Sequence, residues 1–165
     1  MVTESAGETL ALGERLGGLL RPGDVVALYG ELGSGKTVLT KGIARGLGVE
    51  ADVHSPTFTL IHEHAGPIPL FHVDLYRIEG EAEVESIGVE EYIEAGGVTV
   101  IEWAEKMRSV LPAERLDIAL RVTGDTRREL VFETDSARMK AVVQELIVIL
   151  SAAKNLGRDS SLRSE

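Results

Sequence analysis

Gly30-Glu31-Leu32-Gly33-Ser34-Gly35-Lys36-Thr37 fits the spacing G-x-x-x-x-G-K-[ST]. Glycines in such a loop let the main chain reach positive φ and turn its N–H groups inward at phosphate oxygens. A helix that starts there adds the positive end of its dipole. On this reading Glu31, Leu32, Gly33, Ser34, Gly35, Lys36, Thr37 and Val38 cradle the phosphates. The Lys36 ammonium then reaches the β- and γ-phosphates, and the Thr37 hydroxyl ligates Mg²⁺. The alternative is a glycine-rich turn that matches by chance. An apolar run before the loop and an amphipathic stretch after it favour the phosphate reading.

Three other segments hold groups that would complete such a site. Asp74 ends an apolar run, as an aspartate does that binds Mg²⁺ directly or through water. Glu102 ends a second run and offers another acid at the sheet edge where ligands bind, either to help hold the metal or to orient or deprotonate an attacking water. Both can equally be ordinary strand-end carboxylates. Ser55-Pro56-Thr57-Phe58 lies between the loop helix and the Asp74 run, where nucleotide hydrolases place a switch hydroxyl; alone it is also a common turn. Trp103 is the only tryptophan and is either core or a flat surface against a nucleotide. His54, His62, His64 and His72 lack any metal-ligand spacing and read as polar strand faces and loop.

The elements that must carry these residues alternate between helix and strand. Ser5 caps a helix over Glu8–Leu20, with Leu12, Leu16, Leu19 and Leu20 on one face. Val25–Tyr29 is a continuous apolar run, as expected of a strand covered on both faces. A helix follows over about Lys36–Leu47, with Gly48 at its end. Phe58–His62, Leu70–Asp74 and Val98–Trp103 read as strands, and Glu81–Glu94 as one or two short helices. Leu116–Val122 and Arg128–Glu133 alternate around Gly124-Asp125, which predicts an antiparallel hairpin. Ser136–Leu150 predicts a helix, and Ser151–Glu165 a frayed tail.

Composition narrows the function classes. The chain has 165 residues, 44% of them hydrophobic, which suits one globular domain and excludes wholesale disorder. Seventeen basic against 27 acidic side chains give a net charge of −10, a poor surface for gripping nucleic acid unaided. Without cysteine there is no disulfide, thiolate catalysis or cysteine-held metal, which suits a reducing compartment. The first residues carry acid where a signal peptide needs base, and the most apolar stretch, Leu146–Leu150, is far short of a membrane span; the expectation is a cytoplasmic protein with no membrane partner. The only asparagine is Asn155, so the guanine-reading N-K-x-D motif is absent and ATP is the expected nucleotide. A small-molecule kinase is the main enzyme alternative, but Arg127-Arg128 and Lys106 with Arg108 are too sparse to argue for a basic lid. A module that senses ATP with negligible hydrolysis is the non-enzyme alternative.

Taken in order, the phosphate loop, His54-Ser55-Pro56-Thr57-Phe58-Thr59-Leu60, Phe71-His72-Val73-Asp74-Leu75-Tyr76-Arg77 and Ile101-Glu102-Trp103 resemble the TsaE (YjeE) family over about Ser5–Glu133. The resemblance implies an ATPase acting with TsaB and TsaD in threonylcarbamoyladenosine modification at position 37 of ANN-decoding tRNAs, with tRNA met only through the partners. It implies ATP and Mg²⁺ as cofactors, Mg²⁺ on Thr37 and Asp74, a switch-like Thr57, a catalytic Glu102 beside Lys36, and Trp103 near the nucleotide. Ala104 stands where the family usually has proline, which predicts a looser loop after Trp103. The expected fold is an α/β, P-loop NTPase-like three-layer fold with a mixed, mainly parallel central sheet and a C-terminal hairpin. Residues 1–135 would form the ATPase domain, and 136–165 a C-terminal helix and a disordered tail.

Overall fold

The computed structural model describes residues 1–55 and 60–162, the side chains of 158–162 apart. Its elements in chain order are β1 (Val2–Thr3), α1 (Ala6–Gly17), β2 (Val25–Tyr29), α2 (Lys36–Gly46), β3 (Ile61–His64), β4 (Leu70–Asp74), α3 (Glu81–Ile87), α4 (Val89–Ile93), β5 (Val98–Glu102), β6 (Leu116–Val122), β7 (Arg128–Glu133) and α5 (Ala137–Leu162). A short 3₁₀ helix, Ala104–Met107, follows β5.

The strands form one sheet in the order β1-β7-β6-β2-β5-β4-β3. The central strands β6, β2, β5 and β4 are mutually parallel, and β2, β5 and β4 are buried almost throughout. Antiparallel pairs sit on the flanks: β6 with β7, β4 with β3, and β1 with β7. Because β1 is antiparallel to β7, it runs with the central set, and five of the seven strands share one direction. The sheet is thus mixed and mainly parallel, with the hairpin near its C-terminal end as expected.

Helices cover both faces, which makes three layers. On one face Leu12 and Leu16 of α1, Leu39 and Ile43 of α2, and Met139, Val142 and Leu146 of α5 pack on Val26, Leu28, Val100, Ile118 and Leu130. On the other, Val84 of α3, Val89 of α4 and Met107 pack on Val25, Ala27, Val73 and Ile101. The alternation of strand side chains between these two cores is the period-2 geometry of a pleated sheet.

Helices α1 and α2 meet backbone to backbone. Gly13 and Gly17 face Gly42 and Gly46, and a Cβ placed on Gly46 would lie 2.1 Å from the Glu14 carbonyl oxygen. No rotamer change relieves that contact, because both sides are main chain. The close approach fixes the axis of α2, the helix that begins at the phosphate loop.

Several elements differ from the sequence expectation. β1 is only two residues long, below what a hydrophobic pattern can reveal. Helix α1 stops at Gly17, where the Gly18 N–H bonds to the Glu14 carbonyl and Leu19 tightens onto Leu16. The third strand runs Ile61–His64, later than the expected Phe58–His62, of which residues 58 and 59 lie outside the described ones. Helix α5 runs on to Leu162, which corrects the reading of a frayed tail after Leu150. Apolar periodicity reports burial, and residues 151–157 are mostly exposed; Ala152, Ala153 and Lys154 are strong helix formers regardless.

Gly46→Ala and Gly17→Ala should each destabilise the fold by about 1–3 kcal/mol through overpacking, read as a lowered midpoint in urea. Gly7→Ala, whose added Cβ would meet only Ser5 Oγ at 3.7 Å, should be neutral or stabilising and serves as the control.

Candidate functional site

The parallel strands β2, β4 and β5 end together, and register sets what stands at their ends. Asp74 pairs with Glu102 across β4 and β5, and Glu102 pairs with Leu28 across β5 and β2. The two carboxylates therefore lie side by side at the carboxyl edge, next to the loop that leads from β2 into α2. Ligands bind at this edge in open α/β sheets.

The loop has the conformation its glycines allow. Gly30, Gly33 and Gly35 have φ of 148°, 78° and 103°. At Gly30 a Cβ would also come within 2.6 Å of the Leu120 carbonyl oxygen and Ser34 Oγ, so no larger residue fits. Gly35 caps α2 in the left-handed region and gives it no side-chain cap. The first-turn N–H groups of a helix have no intrahelical partner, so this end is open to an anion. The far end of α2 is closed by Gly48 at φ 79°, with Val49 N–H donating to the Ala44 carbonyl at 2.9 Å.

Lys36 is buried and folds back on the loop. Its Nζ donates to the carbonyls of Gly30 at 2.5 Å and Glu31 at 2.9 Å, and lies 4.0 Å from the centre of the Trp103 ring. Burial pulls its pKa below the usual lysine range, while Glu102, Glu105, Asp74 and Glu31 pull the other way. Trp103 is the only non-glycine residue at positive φ among the described ones, at 59°. That strained turn aims its ring at Lys36 and at Tyr76, 5.1 Å away between centroids. The turn after it is not loose: Ala104 and Met107 are buried, and Lys106 Nζ holds the carbonyls of Tyr76 and Ile78. Trp103 serves both readings given it by the sequence, packing against the second core and lining the open cavity.

Glu102 is 2% exposed and held from three sides. His72 Nε2 is 2.8 Å from Oε1; a carboxylate offers only acceptors, so Nε2–H donates. Thr37 Oγ1 donates to Oε2 at 3.1 Å, and Thr40 Oγ1 stands 3.3 Å from Oε1 while donating to the Lys36 carbonyl at 2.9 Å. Asp74 accepts from Ser55 Oγ at 2.5 Å and from the Tyr76 N–H at 3.0 Å.

A cavity of about 260 Å³ is lined by Leu32–Val38, Ser55, Asp74, Tyr76, Glu102 and Trp103. Most of the expected site residues meet here: Leu32, Gly33, Ser34, Gly35, Lys36, Thr37 and Val38 with Asp74, Glu102 and Trp103. Glu31 joins through its carbonyl on Lys36. Thr57 lies outside the described residues. Arg77 is exposed and, among the described residues, forms no ion pair with Glu79 or any other acid.

The donor set suits a nucleoside triphosphate with Mg²⁺. The uncapped helix end and Lys36 offer positive groups, and Thr37, Asp74 and Glu102 offer the hard oxygens Mg²⁺ prefers. No group of three or more His, Cys, Asp or Glu among the described residues could hold a metal alone. A cation here would need phosphate oxygens as well, which is how Mg²⁺ is commonly bound.

Sequence reasoning missed His72, Thr40 and Arg128. His72 is no polar strand-face residue: it is fully buried, and its Nδ1 has no partner among the described residues. Its spacing was a usable signal, because His72 and Asp74 are two apart on one strand and so share a face. Arg128, from β7, donates to the carbonyls of Gly33 and Ser34 in the loop.

The family model for "Threonylcarbamoyl adenosine biosynthesis protein TsaE" matches residues 3–130. The chain belongs to the TsaE family. A Bacillus subtilis TsaE is 44% identical over 140 residues, covering 84% of this chain and 87% of that protein. A Treponema pallidum TsaE is 43% identical over 129 residues, covering 78% of this chain and 96% of its own. Both are named tRNA threonylcarbamoyladenosine biosynthesis proteins. The crystal structure of B. subtilis YdiB superposes with a TM-score of 0.77 at 38% identity, over 88% of this chain and 91% of that one. The TsaE match takes in every cavity-lining residue and leaves out α5. No helix among the described residues is long and apolar enough to cross a membrane.

His72→Phe should destabilise the protein by about 1–3 kcal/mol, because it leaves a buried carboxylate oxygen short of its donor. In the Glu102→Gln background the same change should cost measurably less. Denaturant unfolding of the four proteins in this cycle gives the coupling directly; additive costs would mean the pair does not interact.

Proposed function

We propose that this chain is a Mg²⁺-dependent ATPase serving tRNA threonylcarbamoyladenosine biosynthesis, the process for which its family is named. One observation carries the reading: the uncapped start of α2 and the side chains of Thr37, Asp74 and Glu102 converge on one cavity. Lys36 and the loop N–H groups bind the β- and γ-phosphates, and Trp103 flanks the nucleotide. Thr37 and Asp74, with Glu102 beside them, hold Mg²⁺, which when bound neutralises charge on the phosphate oxygens. Glu102 orients the attacking water with the oxygen on its Thr37 side, the other being occupied by His72. Thr57 is the proposed switch residue.

The partners proposed are TsaB and TsaD, with tRNA reached only through them; the net charge of −10 supports that division, since a partner must supply the basic groove. Hydrolysis by the lone chain is expected to be slow. A fast P-loop hydrolase adds an arginine at the developing charge, worth about 10³–10⁵ in rate. Among the described residues Lys36 is the only cationic side chain lining the cavity, and Arg77, the nearest arginine in sequence to Asp74, does not line it.

Lys36→Ala should abolish Mg·ATP binding in calorimetry, and Asp74→Asn should blunt the response to Mg²⁺. Glu102→Gln should bind Mg·ATP yet hydrolyse it ~10²-fold or more slowly, since an amide cannot take a proton. Wild-type turnover should rise when TsaB and TsaD are added. Wild-type binding by the Lys36 variant together with wild-type turnover by the Glu102 variant would refute the assignment.

A further inference from the structure

A loop that turns its N–H groups inward must turn its carbonyls outward, and those carbonyls need donors of their own. Lys36 serves Gly30 and Glu31. Its Nζ also reaches Ser34 Oγ at 3.4 Å, but it does not serve the main-chain carbonyls of Gly33, which is exposed, and Ser34, which is buried. Their carbonyls are met from the other end of the sequence. Arg128 Nη2 donates to Gly33 at 3.2 Å and Nε to Ser34 at 3.1 Å. Its third nitrogen, Nη1, donates to the carbonyls of Arg127 at 2.9 Å, Gly124 at 3.1 Å and Asp125 at 3.4 Å.

We infer that Arg128 is a positioning residue for the phosphate loop, tying it to the turn of the β6–β7 hairpin; this rests on the nucleotide-binding reading above. One planar guanidinium holds the loop with two nitrogens and the hairpin turn with the third. A lysine ammonium has neither the reach in two directions nor the fixed fork. The base of the residue is rigid, because Arg128 opens β7 and pairs with Val122 of β6 and Thr3 of β1. Its charge is also unspent. Arg115, Arg127 and Arg138 pair with Asp117, Glu4 and Asp24, whereas Arg128 meets only main-chain carbonyls and, among the described residues, no carboxylate. Arg128 therefore adds a net positive charge beside the loop while fixing its outward carbonyls. Through the same group, a displacement of residues 124–127 is felt at Gly33 and Ser34.

The test compares full-length wild type, Arg128→Ala and Arg128→Lys by calorimetry with Mg·ATP, steady-state hydrolysis and thermal melting without nucleotide. Arg128→Ala should weaken Mg·ATP binding about 10–100-fold, the scale of losing a hydrogen bond made by a charged group. Turnover at saturating ATP should stay within about threefold of wild type, because the group acts on binding and not on the reacting atoms. Arg128→Lys should recover only part of the affinity, and it decides the matter if the alanine variant does not fold. In wild type, ATP should slow amide exchange at residues 124–127; in the variants that protection should be lost. A residue serving stability alone would lower the melting temperature and leave affinity and hairpin protection unchanged, and that result overturns the inference. If wild type itself does not bind Mg·ATP, the nucleotide reading fails and this inference with it. If wild type binds and both variants match it, only this inference fails.

Discussion

Everything at the sheet edge depends on holding one buried carboxylate in place. Glu102 is almost wholly buried, and an ionised group so placed is tolerated only when its oxygens are paired. The partners come from two elements at once: His72 on β4, and Thr37 and Thr40 on α2. Each of these can reach Glu102 only if the register of β4 on β5 and the axial position of α2 are both right. A one-residue slip in β4 would turn His72 and Asp74 to the opposite face and leave the carboxylate without its strongest donor. The glycine contact between α1 and α2 acts in the same way, since a helix pushed outward by side chains would carry Thr37 and Thr40 off the acid.

The phosphate loop poses the complementary problem of where main-chain carbonyls go. Lys36 and Arg128 divide the four carbonyls of Gly30, Glu31, Gly33 and Ser34 between them. Lys36 thus has two jobs. It stabilises the loop from inside, with its charge desolvated and resting on the Trp103 ring, and it is the cation that the phosphates would meet. Any ligand for that ammonium competes with contacts already made, so the loop is shaped in advance at some expense of affinity.

Much of this was legible in the sequence because local chemistry and global fold agree. The loop pattern, the continuous run Val25–Tyr29 and the stripe on α2 point to one strand–loop–helix unit, and that unit is present. Leu116–Val122 and Arg128–Glu133 alternate cleanly, and the hairpin spans those residues. Asp74 and Glu102 stand out in the sequence as strand-end acids after apolar runs, and they line one cavity. What escaped depends on partners distant in sequence. Arg128 looked like half of a sparse basic pair, and only folding brings it to Ser34, 94 positions away. The spacing of His72 and Asp74 puts them on one face, but that this face meets Glu102 follows from the pairing of His72 with Val100, two residues before Glu102 on β5. The end of α5 was misjudged for a different reason, since an exposed helix leaves no apolar stripe to read.

The two ends of the site differ in how firmly they are built. Thr37 lies where independent constraints cross: the α1–α2 glycine contact sets its helix, the strand register sets its acid, and the loop carbonyls set its turn. Opposite it, Ser55 is exposed, and Tyr76 and Leu32 are 48% and 71% exposed. Among the described residues one wall is rigid and the other faces solvent, an arrangement that meets a ligand's charge well but excludes water poorly. Exclusion of water is what strengthens electrostatic stabilisation of a transition state. On the proposed reading, the described residues therefore favour holding the phosphates over hydrolysing them in the isolated chain.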